Sequence, residues 1–201
     1  MRPIIWSTAD ACGAPALQSW RETVDQSLYA LAIESTDERF QARLEQASLG
    51  PARLSKLVAG AQSVRRTPRD IARTRDRPKL DIIAVREGTF HYRQYGREDV
   101  IKAGDCLLID RSAPYWFEAS ASCSMTLALE HDWLARWTPD PRGLAARRID
   151  GRQGWGHALS TILGTLEVDL VERLAVPGAA LAEQIASLLV LACAPQHAPL
   201  H

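Results

Sequence analysis

From Leu80 to Glu118 the chain reads L-D-I-I-A-V-R-E-G-T-F-H-Y-R-Q-Y-G-R-E-D-V-I-K-A-G-D-C-L-L-I-D-R-S-A-P-Y-W-F-E, followed after a gap by M-T-L-A-L at Met125 to Leu129. Runs rich in Ile, Val, Tyr, Phe and Trp are cut every several residues by Glu87-Gly88, Tyr95-Gly96, Ala103-Gly104-Asp105 and Ser112-Ala113-Pro114. Glycine supplies the positive φ of tight turns and proline fixes its own φ, so each cluster ends one strand and begins the next. The pattern predicts five or six short antiparallel strands. Short strands with open edges do not bury a core, so they are expected to close into a β-barrel or a double-sheet jelly roll.

The 201 residues suffice for one substantial core with an appended helical piece. A formal net charge of +0 and an isoelectric point near 7.0 provide no global field to attract nucleic acid or membrane. Cys12, Cys106, Cys123 and Cys193 are scattered without a C-x-x-C pair, as expected in a reducing compartment. Cys106 and Cys123 fall in predicted strands and read as small buried hydrophobes. The start M-R-P-I-I-W lacks a signal-peptide core, and Ile185 to Ala194 is too short to span a bilayer. A cytoplasmic protein without a membrane partner is expected.

Upstream, Leu17, Trp20, Val24, Leu28 and Leu31 recur at helical spacing, predicting an amphipathic helix over 16–33. Phe40, Leu44 and Ala47 predict a second over 38–49, ended by Gly50-Pro51. Residues 52–64 alternate as two strands broken near Gly60. From Arg65 to Lys79, seven basic residues against two acidic ones, with Pro68 and Pro78 among them and no interleaved aromatics, read as a solvated loop. One or two of its arginines are candidates to reach an anionic ligand at the barrel mouth. After Glu130 the period changes: a short helix capped by Asp132, one from about 153 to 173, and a last from 179 to 194.

The sequence carries few motifs of known chemistry. There is no G-x-S-x-G, no Walker A loop and no G-x-G-x-x-G. Glu130-His131-Asp132 reads as a cap and not a metal site. A barrel that holds a metal on its strands needs two histidines one residue apart, but His91 is followed by Tyr92 and then Arg93, and a guanidinium does not ligate metals. No metal and no cofactor are expected.

The run V-R-R-T-P-R-D-I-A-R and the central stretch together resemble the N-terminal cupin-like domain of AraC/XylS-type transcriptional regulators. The likeness covers roughly 40–194 and rests on Arg66-Thr67-Pro68-Arg69, Gly96-Arg97, Ala103-Gly104-Asp105 and Arg111 to Tyr115. It implies an α+β fold: a cupin-like antiparallel barrel or jelly roll over 51–131, an N-terminal helical segment over 1–50, and a helical hairpin over 132–196 that mediates dimerisation. Residues 197–201 then lead towards a DNA-binding domain with two helix-turn-helix motifs, expected beyond His201.

The expected role is regulatory. A small effector in the barrel shifts a homodimer between arrangements that present DNA-binding domains differently, and catalysis is not expected. Effector candidates are Arg86, His91, Arg93, Tyr115 and Trp116. The apolar side of the helical hairpin, with Leu159, Ile162, Leu163, Leu166, Leu170, Leu181, Ile185 and Leu188, is the expected dimer interface. The alternatives are a metal-free cupin enzyme of isomerase or epimerase type working through His91 and Tyr92, and a dimerisation module with a filled barrel.

Overall fold

In a computed structural model of the chain, residues 4–10, 15–74, 77–173 and 177–194 are described. Cys12 and Arg75 lie outside them. The strands are β1 (Ile4–Ser7), β2 (Ala32–Glu34), β3 (Ala42–Leu49), β4 (Ala52–Ala59), β5 (Gln62–Arg66), β6 (Lys79–Glu87), β7 (Thr89–Gln94), β8 (Arg97–Lys102), β9 (Cys106–Asp110), β10 (Tyr115–Ala119), β11 (Ser122–Glu130) and β12 (Arg147–Ile149). The α-helices are α1 (Ala16–Ser27), α2 (Pro68–Arg73), α3 (His131–Leu134), α4 (Gly154–Thr165), α5 (Val168–Glu172) and α6 (Gly178–Cys193). All strand pairs are antiparallel and form two sheets, one ordered β1-β3-β4-β11-β6-β9-β12 and the other β2-β5-β10-β7-β8. The sheets face each other as a cupin-like double-sheet sandwich, not a closed barrel.

Three layers result. Between the sheets lie Leu44, Val64, Ile83, Val85, Phe90, Tyr92, Leu107, Ile109 and Tyr115, with Trp20 and Val24 of α1 packed among them. On the other face of the larger sheet, Leu49, Leu54, Leu80, Ile82, Leu108, Met125, Leu127 and Leu129 pack under α4, α5 and α6. β6, β9 and β11 are therefore covered on both faces, which is why their sequences read as apolar runs without clean alternation.

Three expected helices are corrected. Residues 38–49 form no helix; most of this stretch is β3, pinned to β4 by the register Leu49↔Ala52. The intervening Gly50-Pro51 is a two-residue hairpin loop with Gly50 at φ +65, not a helix stop. β3 sends Leu44 between the sheets and Ala47 and Leu49 under the helices, so its apolar residues mimic helical spacing. The helix expected over 153–173 breaks where Leu166 and Glu167 are extended, with ψ of 130 and 146. Arg86 holds the break by donating to the Leu166 carbonyl and to Glu167 Oε1 (2.7 Å), while Lys56 reaches Glu167 Oε2 (2.7 Å). The N-terminal helix ends at Ser27 instead of Ile33, and residues 28–31 cross the end of the sandwich before β2.

The terminal helices cover their own sheet. Leu159, Leu163, Leu166 and Ile185, expected at a dimer interface, are instead buried inside the protomer. Ile162, Leu181 and Leu188 are partly buried, and Leu170 (45% exposed) stands out with Trp155 and Leu191. Among the described residues, no helix is long and apolar enough to cross a membrane.

Candidate functional site

Strand parity separates the expected effector residues. On β10, Tyr115 and Phe117 turn between the sheets while Trp116 turns out, so the three-ring cluster is split. On β7, Phe90, Tyr92 and Gln94 turn in, whereas His91 and Arg93 turn out. Outside, His91 Nε2 and Arg93 Nη2 share the Glu98 carboxylate at 2.7 and 2.6 Å, and Trp116 Nε1 donates to Ser63 Oγ at 3.1 Å. Arg86 lies with Ile82 and Ala84 on the helix-covered face. Of the five candidates, only Tyr115 enters the sandwich interior.

What gathers around Tyr115 is a buried charged cluster. Asp81 sits on β6 in an otherwise apolar run and is 2% exposed. Its Oδ2 accepts from Arg111 Nε at 2.7 Å and from the Tyr29 hydroxyl at 3.1 Å. The Tyr29 and Tyr115 hydroxyls are 2.8 Å apart. A phenol has one proton, and Tyr29 gives its own to Asp81, so Tyr115 is the donor to Tyr29. Arg66, at the end of β5, donates from Nε to the Arg111 carbonyl and from Nη1 to the Ala30 carbonyl, each at 2.7 Å. Both guanidiniums lie over the Tyr29 ring, with centroid distances of 4.7 Å for Arg66 and 4.2 Å for Arg111.

Burial, reinforced by Asp81, pushes the Tyr29 phenol far above its usual range, and burial does the same to Tyr115, so both stay protonated donors. Burial opposes the charge on Arg111, but the adjacent Asp81 carboxylate overrides it and holds the guanidinium protonated. One atom is left over: Asp81 Oδ1 is buried without a hydrogen-bond partner. An orphaned carboxylate oxygen costs about 1–3 kcal/mol or more and is a place for a donor.

The cluster borders a cavity of about 70 Å³ between the sheets, with Leu31, Leu57, Ile83, Phe90 and Phe117 as apolar walls and Ser122, Ser124 and Thr126 of β11 as hydroxyls. A groove of about 350 Å³ outside it is lined by Gln26, Arg53, Lys79 and Glu130. Leu28 and Arg111 border both, so the 28–31 segment and one arginine separate the cavity from the outside. The basic stretch contributes Arg66 to the interior, while α2, capped by Thr67 and Asp70, keeps Arg69 and Arg73 exposed. Sequence reading missed Tyr29, Asp81 and Arg111; the available signal was a lone aspartate inside the run L-D-I-I-A-V.

A cupin-like sandwich with a polar pocket between its sheets and helices on its back defines the class. Residues 20–192 match the model of the AraC-binding-like domain, and the chain belongs to that family. No curated protein matches it. Among solved structures, the AraC-like transcriptional activator CuxR is similar in fold, at 17% identity and TM-score 0.74, covering 100% of this chain and 73% of that one. The Clostridium difficile EutQ protein overlaps more loosely, with TM-score 0.37 and 13% identity over 50% of this chain and 76% of its own. A putative mannose-6-phosphate isomerase from Ralstonia eutropha has TM-score 0.35 and 11% identity over 49% and 90%.

Proposed function

We propose that this chain is the effector-sensing half of an AraC-type transcription regulator. A small molecule binds between the two sheets and, through the helical layer, controls DNA binding by a helix-turn-helix domain of the same polypeptide. The observation that carries this reading is the buried Tyr29–Asp81–Arg111–Tyr115 cluster with its unpaired Asp81 oxygen, inside an AraC-binding-like domain. Packing alone does not require such a cluster, because well-packed apolar residues in place of a buried ion pair are often as stable or more so. Recognition of a polar ligand does require it.

The proposed output is geometric and not catalytic. The protein acts as a homodimer whose interface draws on the residues that α4–α6 leave uncovered, Ile162, Leu170, Leu181 and Leu188 among them. An effector that favours one arrangement tenfold shifts the equilibrium by about 1.4 kcal/mol. Of the original effector candidates, Tyr115 contacts the ligand directly. Arg86 is placed to pass a shift of β6 to the α4–α5 break. His91, Arg93 and Trp116 form a polar outer face available to a second ligand or partner.

A second reading, a dimerisation module with a filled sandwich, is favoured by the small cavity, since ligand sites usually measure about 300–1,000 Å³. Thermal shift against sugars, aromatic compounds, amino acids and nucleotides separates the two. Saturable stabilisation by one class, reduced in Tyr115→Phe, is expected for a sensor. A flat response across the whole panel rejects sensing and leaves the module.

A further inference from the structure

We propose that Tyr29 occupies the effector site as a built-in ligand, and that the molecule it stands in for is a small hydroxylated aromatic ring. This rests on the reading of the sandwich interior as the effector site. The groups around Tyr29 come from regular strands or the turn beside one: Arg66 from β5, Asp81 from β6, Tyr115 from β10 and Arg111 directly after β9. Tyr29 itself comes from the irregular 28–31 segment, yet it is 8% exposed and meets all four. The arrangement is that of a receptor framed by strands and an occupant on a tether.

The receptor's chemistry states what it holds. Two guanidiniums over one ring favour a π face, which a sugar does not offer. Asp81 Oδ2 takes a hydroxyl donor, and a carboxylate in that position would be repelled by it. The remaining walls, Leu31, Ile83 and Phe117, suit ring edges. Asp81 Oδ1, which Tyr29 leaves without a donor, explains how a diffusible ring displaces a tethered one: a second donor on the ligand satisfies an atom that the tyrosine does not. The displaced side chain has room in the adjoining groove of about 350 Å³, across Leu28 and Arg111. Because the segment continues from α1, the exchange is felt by that helix.

The test uses Tyr29→Gly with two probes, p-cresol, which is the severed tyrosine side chain, and toluene, which lacks its hydroxyl. By calorimetry, p-cresol is expected to bind the variant at least tenfold more tightly than toluene, and at least tenfold more tightly than it binds the wild-type chain. Adding Tyr115→Phe is expected to weaken p-cresol severalfold and leave toluene unchanged. A folded variant that binds both probes equally, or neither, overturns the proposal. Should Tyr29→Gly not fold alone, recovery of a cooperative melt with p-cresol and not with toluene is the supporting result, and recovery with neither overturns it. If the proposal fails while another small molecule still stabilises the wild-type chain, the effector-site reading survives; if nothing stabilises it, both fall.

Discussion

On β11, Met125, Leu127 and Leu129 point to the helices and are fully buried, whereas Ser124 and Thr126, one residue out of step, point between the sheets. β6 repeats the contrast, with Leu80, Ile82 and Ala84 under the helices and Asp81 turned to the interior beside Ile83. The same strands therefore carry an aliphatic face that stabilises the fold by area removed from water, and a second face with hydroxyls and an ion pair that stabilise it little. The lesson is a division of labour: apart from Arg86, whose Nε is itself unpaired, the helix-covered face of these strands holds the molecule together by apolar burial, and the proposed function assigns the polar groups of the interior face to a ligand.

The largest expected effect tests the interior face. Asp81→Ala leaves Arg111 buried without a counter-ion and is expected to cost about 3–5 kcal/mol in urea unfolding. The double variant Asp81→Leu, Arg111→Met should recover most of that loss, yet lose every ligand-induced thermal shift. If the double variant stays as unstable as the single, the pair is a structural element and the contrast between faces is wrong. On the opposite face, Leu127→Ala is expected to cost about 2–5 kcal/mol, because a fully buried leucine leaves a cavity. Ligand response should persist in that variant below its lowered melting temperature, and its loss would show that the two faces are not separable.

How much of this was legible in the sequence follows from the same periodicities. The turns at Gly88, Gly96 and Gly104 were readable because each has positive φ, at +85, +71 and +92, and the strands between them stood out accordingly. The split at Gly60 was readable from the glycine itself, although its φ is not positive, and α6 from the helical spacing of Leu181, Ile185, Leu188 and Leu189. β3 was not, since its buried apolar residues change face between Leu44 and Ala47, which breaks the period-two signal on which a strand is recognised. The α4–α5 break was hidden because its cause is distant: Arg86 and Lys56 from two other strands hold Glu167. Which side of β6 faces the partner sheet was not legible, since a one-residue slip reverses every assignment. Tyr29 escaped notice because its role depends on the helix ending at Ser27, a feature without a capping residue to announce it.

A smaller effect comes from the end of the sheet, where neither face dominates. His131 Nε2 is buried without a hydrogen-bond partner and lies 3.6 Å from Asp110 Oδ1. Burial lowers its pKa below the usual 6.5, Asp110, Asp132 and Asp140 pull it up, and Arg142 pushes it down. The unfolded chain then binds a proton that the folded chain refuses. Stability from this residue is full above about pH 6.5 and falls as pH drops towards the lowered folded value. In urea titrations, His131→Gln should flatten that slope, and an unchanged slope would assign it to other groups.

The smallest effect on stability is the sharpest test of the division. No hydrogen bond among the described residues uses the Thr126 hydroxyl, although the residue is 8% exposed and borders the cavity. Thr126→Val keeps the shape of the side chain and removes only that hydroxyl. On the helix-covered face a change of one polar atom would register as stability; here it should stay within about 0.5 kcal/mol of the wild-type chain, because no partner is stranded by the loss. What should change is selectivity: any ligand hydroxyl that reaches β11 loses its partner, so the ranking of effectors by thermal shift is expected to move towards less hydroxylated rings. A variant that is markedly destabilised, with its ranking intact, would place Thr126 among the groups that hold the fold and draw the boundary between the two faces elsewhere.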